Sequence, residues 1–120
     1  HINHGLHGIH VSREVYEERM RELLSELRTT GAAPILATTT VAYEEKSDIL
    51  SAAWTPRISE RNEALRALAE EFSLPIDDLY RVSLAIPMSD RSPDGIHYTA
   101  TGFHTLAENV VRSIKTEWKK

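Results

Sequence analysis

Asp94 and His97 stand three residues apart in the segment Asp94-Gly95-Ile96-His97. A carboxylate and an imidazole at this spacing can share one turn. The carboxylate then accepts a hydrogen bond from one ring nitrogen and leaves the other free as a base. That is the orienting half of a nucleophilic triad. The same spacing also arises by chance at solvated turns, so the setting has to decide. Ser92-Pro93 punctuates a loop just before the pair, Thr99 is a good helix cap just after it, and an apolar helical stripe follows. The pair is therefore expected where a loop enters a helix, a place both rigid and exposed.

The elements that must hold it can be read outward from there. The final helix carries Phe103, Leu106, Ala107, Val110, Val111, Ile114 and Trp118 on one face. Near the other end, Ser12 is a good cap, and Tyr16, Met20, Leu23, Leu24 and Leu27 recur at helical spacing until Gly31. Pro34 to Thr40 is apolar and β-branched, as a parallel strand buried on both faces would be. Residues 41 to 54, with Tyr43 among them, read as a long loop, with a short helix within it as the alternative, passing near any active site. A second helix begins near Pro56, with Ile58, Leu65, Leu68, Ala69 and Phe72 as its inner stripe. Ile76 to Tyr80 reads as a second strand, and residues 81 to 98 as irregular chain. Helix, strand, helix, strand, helix is the order of an open parallel α/β sheet. Two strands are too few to complete one, so the chain is expected to be part of a larger domain.

Composition narrows the chemistry. The 120 residues contain no cysteine, which excludes disulfides, a thiolate nucleophile and cysteine-based metal sites. A hydrophobic share of 41% and a charged share of 27% are ordinary for one globular domain. The formal charge of −4 gives no basic footprint, so no nucleic-acid partner is expected. No apolar run approaches the roughly 20 residues of a membrane span, so no membrane partner is expected either.

Histidine recurs every third residue at His1, His4, His7 and His10, with Gly5 and Gly8 between them. Three readings compete. Imidazoles suit zinc, copper or nickel, although spacing of three through glycines builds no regular ligand face. The stretch can instead be a loop whose histidines bond to backbone. In the third reading, Asn3 is an amide donor at a strand end, aimed at a developing oxyanion.

Asn3-His4-Gly5-Leu6-His7-Gly8 resembles the third block of the SGNH (GDSL-type) serine hydrolases. Asp94-Gly95-Ile96-His97-Tyr98 with Gly102-Phe103 resembles their last block. Thr38-Thr39-Thr40-Val41, Arg61-Asn62 and Asp78-Leu79-Tyr80 also match that pattern, so the resemblance covers nearly the whole chain. It implies a three-layer α/β/α, flavodoxin-like fold, present over residues 1–120 as its C-terminal part with about two parallel strands and three main helices. It implies His97 as general base, Asp94 as its orienting partner and Asn3 as an oxyanion-hole donor, with no cofactor. The implied substrate is a small ester or an acylated carbohydrate.

The same resemblance exposes a gap. The family's nucleophilic serine lies in a Gly-Asp-Ser block upstream of the Asn block, and this sequence has neither that block nor a Gly-x-Ser-x-Gly elbow. Ser12, Ser89 and Ser92 read better as cap and turn residues. The chain alone is thus expected to be inactive, with the N-terminal half or a second copy as its partner. Two rivals remain: a non-catalytic binding module of the same fold, and a metal-binding protein using the histidine cluster. Tyr98, Phe103 and Trp118 are expected in packing roles. Asp77 and Asp78 should end a strand without catalytic duty, and Arg61 and Asn62 should bond loop backbone beneath the site.

Overall fold

The computed structural model describes residues 11–43 and 54–119. Helix α1 (Arg13–Thr29) starts where the Ser12 hydroxyl accepts from the Val15 amide, and it closes before Gly31, whose φ of +76° suits a residue without a Cβ. Helix α2 (Trp54–Phe72) carries Pro56 in its first turn, where no intrahelical donor is lost. It ends in a Schellman arrangement. The Ser73 amide donates to the Glu70 carbonyl at 3.1 Å and the Leu74 amide to the Ala69 carbonyl at 2.8 Å, with Ser73 itself at φ +54°. A serine thus occupies a position that glycine usually fills.

Strands β1 (Leu36–Ala37) and β2 (Ile76–Asp77) pair in parallel, Leu36 opposite Ile76 and Ala37 opposite Asp77. Both are shorter than their sequence signals, because caps and side-chain bonds take over at their ends. The Asp78 carboxylate accepts from the Arg81 amide and starts helix α3 (Leu79–Leu84), so Leu79 and Tyr80 are helical rather than extended. This six-residue helix is too short to show a period, and its tyrosine and valine favour strand by type. A 3₁₀ turn at Met88–Asp90 also interrupts the stretch that reads as irregular.

The sheet has helices on both faces. Leu36 and Ile76 pack with Leu24, Leu65, Leu68 and Ala69 into the main core, which binds α1 and α2 to one face. On the other face, α4 (Ala100–Trp118) reaches Asp77, whose carboxylate accepts from the Asn109 amide. Among the described residues this is the three-layer α/β/α order, with four α-helices and two strands. The first strand is not buried on both faces as its apolar run suggests: Leu36 and Thr38 are buried while Ala37 and Thr39 are exposed.

The stripe on α4 is also less covered than its amphipathic pattern predicts. The helix rests on an arc through Gly102, Leu106 and Asn109, and a second core forms where Leu106 meets Ile86 and Tyr98. Phe103, Val111 and Ile114 are about half exposed, and Trp118 is 87% exposed. Tyr98 therefore packs as expected. Phe103 touches its ring edge-on at 5.8 Å but remains on the surface, and Trp118 is not a packing residue of this chain's described part. No helix among the described residues is long and apolar enough to cross a membrane.

Candidate active site

The turn at 94–97 is built from its own sequence. Asp94 Oδ1 accepts from the amides of Ile96 and His97, both at 2.9 Å, which closes the turn on the carboxylate. Gly95 sits at φ +75°, a conformation that most other residues would adopt only under strain. The second carboxylate oxygen, Oδ2, lies 2.6 Å from His97 Nδ1. The imidazole bond, followed by the two amide donors, holds the Asp94 carboxyl well below the usual carboxylate range. An ionised Asp94 accepts only, so the hydrogen in this contact sits on Nδ1 and the neutral ring presents a lone pair at Nε2. The His97 side chain is 65% exposed, against 29% for Asp94, so the imidazole faces outward while the carboxylate is mostly sheltered.

Neighbouring segments fix the turn. The Ser92 amide donates to the His97 carbonyl and the Tyr43 amide to the Gly95 carbonyl, each at 2.9 Å. Thr99 caps α4 immediately after the pair, and its amide donates to the Asp90 carbonyl at 3.0 Å. Gly102 lets α4 approach this closely: a Cβ there would stand 2.4 Å from the Asp90 oxygen and 2.9 Å from Tyr98 Cβ.

The segment after β1 is held with equal care. Asn62 bonds both backbone groups of Thr39, accepting from its amide at 2.8 Å and donating to its carbonyl at 2.9 Å. The Val41 amide donates to the Ser83 hydroxyl at 3.0 Å. Thr38 donates to Asp78 at 3.0 Å and accepts from the Tyr80 amide at 2.9 Å, while Arg66 donates to both Asp78 oxygens at 3.2 Å. Asp77 and Asp78 are thus fixed by structural partners. Asn62 bonds loop backbone as expected; Arg61 does so at a different place, donating to the Val11 carbonyl and lying over the Tyr16 ring at 5.2 Å.

Asn3 and the histidines at positions 1, 4, 7 and 10 lie outside the described residues. Among the described residues there is no group of three or more His, Asp or Glu side chains able to hold a metal ion. Ser12 caps α1 and Ser89 lies in the 3₁₀ turn. No hydroxyl among the described residues is hydrogen-bonded to His97 Nε2. Sequence reasoning placed the loop that carries Tyr43 near the site but gave Tyr43 itself no role, and it did not single out Arg91. Arg91 is buried beneath the turn. Nothing in the local sequence of either residue gives a signal.

No protein-family model and no curated protein matches the sequence. Solved structures do match. A lipase/acylhydrolase from Enterococcus faecalis is 22% identical with a TM-score of 0.74, over 92% of this chain and 55% of its own. A protein described as a GDSL-like lipase from Parabacteroides merdae is 25% identical with a TM-score of 0.71, over 92% and 53%. An α/β hydrolase enzyme from the metagenome of Lake Arreo, Spain, is 22% identical with a TM-score of 0.68, over 87% and 48%. This chain carries the α/β fold of GDSL-like lipase/acylhydrolase structures, and it spans about half the length of those it matches.

Proposed function

We propose that this chain supplies the base and its orienting carboxylate to an SGNH-type serine hydrolase that cleaves an ester, of the lipase or acylesterase kind, on a small ester or an acylated carbohydrate. The observation that carries the reading is the 2.6 Å contact of His97 Nδ1 with Asp94 Oδ2, beside an exposed ring, on the fold of lipase/acylhydrolases. His97 Nε2 takes the proton of a serine hydroxyl as the oxygen attacks the ester carbonyl, and later returns it to the leaving alcohol. Asp94 stays ionised and stabilises the imidazolium that forms between those steps. Asn3 donates to the tetrahedral oxyanion.

The serine is contributed from outside these 120 residues. A fluorophosphonate, which loses fluoride as it phosphonylates an activated serine, should therefore leave the 120-residue chain unlabelled and label the complete hydrolase. In the complete hydrolase, His97→Ala should abolish both labelling and ester turnover. Labelling of a serine within this chain would move the nucleophile inside it. Full turnover in His97→Ala would remove the histidine from the mechanism, whereas a complete protein showing neither labelling nor turnover would favour the binding-module reading.

A further inference from the structure

Arg91 is 8% exposed, and a buried guanidinium is costly unless its donors and its charge are matched. Its Nε donates to the Ile86 carbonyl at 3.1 Å and its Nη2 to the Ser83 carbonyl. These oxygens lie at the C-terminal end of α3 and in the turn that leaves it, and the Ser83 carbonyl accepts from the Ile86 amide as well. The guanidinium carbon also stands over two aromatic rings, 4.4 Å from the centre of Tyr43 and 5.3 Å from that of Tyr98. Only arginine can donate in its plane and stack through its faces at once; lysine offers a point charge with no plane.

Both rings lead to the Asp94–His97 turn from opposite sides. The Tyr43 amide donates to the Gly95 carbonyl, inside the turn. Tyr98 follows His97 directly, and Arg91 and Tyr98 face each other in an antiparallel bridge, with Ser92 bonded to His97 just inside it. The cation therefore contacts both flanks of the turn, its Nη1 also reaching the Tyr98 hydroxyl at 3.5 Å, while its Nε and Nη2 bonds tie it to α3 and the turn that leaves it. No bond joins it to Asp94 or His97.

We propose that Arg91 is a positioning residue for His97, its stacked guanidinium locking the 94–98 turn against α3 and the Tyr43 segment so that the imidazole stays on the Asp94 carboxylate. The inference rests on the Asp94–His97 pair being the functional one, yet its test does not need turnover. Imidazole ¹⁵N shifts distinguish a ring protonated at Nδ1 from one protonated at Nε2. In protein labelled at histidine, with the His97 signals assigned by their loss in His97→Gln, the unaltered chain should show the Nδ1–H form of neutral His97. Arg91→Met should redistribute the ring toward Nε2–H and raise the Asp94 carboxyl titration, while amide shifts of Leu24, Leu36 and Leu68 in the separate core stay put. Arg91→Lys should restore little, because it returns the charge without the stack.

Should Arg91→Met fail to fold, Tyr43→Ala removes one ring without stranding the cation, and the same partial redistribution is expected there. In the complete hydrolase, Arg91→Lys should lower kcat by up to about 10²-fold with KM little changed, the cost of a misplaced catalytic group. A residue that served stability alone would lower the melting temperature and leave the tautomer and the Asp94 titration untouched. That outcome overturns the proposal while leaving the hydrolase reading standing. A redistributed tautomer in a protein that never turns over an ester would do the reverse.

Discussion

One proton on Nδ1 and none on Nε2 is the condition for His97 to act as a base, and the Asp94 carboxylate imposes it at 2.6 Å. An asparagine at 94 could turn its amide NH₂ toward Nδ1 and favour the opposite tautomer. Asp94→Asn in the complete hydrolase should therefore cost on the order of 10⁴ in turnover while substrate affinity is largely kept, as tautomer loss does in serine triads. Steady-state kinetics decide it, and an unchanged kcat would reduce Asp94 to a turn-former.

The carboxyl also sets a pH dependence. Its folded-state pKa lies below the ordinary value of about 3.9, so its contribution to stability is complete above that value and is lost as pH falls through the lower folded one. A ¹³C titration of the Asp94 carboxyl should show a midpoint below the ordinary range, and an ordinary midpoint would mean that the turn is open in solution. Asn3 is a separate case: Asn3→Ala should slow kcat by about 10²–10³ with KM little moved, because an oxyanion donor acts as charge develops. A raised KM with normal kcat would make it a ground-state contact instead. The pair was legible in sequence because both partners, the glycine and the cap lie within a few consecutive residues. Arg91 was not, because its partners Tyr43, Ser83 and Ile86 belong to other segments that only the fold brings together.

The elements that carry the site meet at one narrow crossing. Helix α4 comes down on the Asp90 backbone through Gly102, and the Asp94–His97 turn is the loop that this crossing closes. A methyl group at 102 must push either the helix or the 3₁₀ turn aside. Gly102→Ala should cost about 1–3 kcal/mol, the usual range for an overpacked contact. Thermal or denaturant unfolding measures this, and an unchanged midpoint would show that the Asp90 segment yields freely. Long helices announced themselves by period and cap: Ser12 and Thr99 mark the starts of α1 and α4. Strand ends and α3 were hidden, because Asp78 redirects the chain through a side-chain bond that alternation cannot foresee. Likewise the stripe on α4 gave the helix but not its rotation, which Gly102, Leu106 and the Asn109–Asp77 bond determine.

At the scale of the molecule, each strand of the two-stranded sheet has an outer edge with no strand partner among the described residues. Phe103, Val111, Ile114 and Trp118 lie along one exposed face of α4. An open, apolar strand edge is a template for association, and a contiguous apolar face is an interaction surface. Burying one large apolar side chain contributes up to about 1.5–3 kcal/mol, so four together match the order of the roughly 4–15 kcal/mol that association costs in lost freedom. The 120-residue chain on its own should therefore sediment as species heavier than its 13.6 kDa, with the share of monomer falling as concentration rises. A compact monomer throughout would refute this. Two surfaces could be responsible, and one variant separates them. Val111→Glu with Trp118→Glu places charge on the α4 face without touching the sheet, so a return to monomer assigns association to the helix. Association that persists in the double variant assigns it to the strand edges.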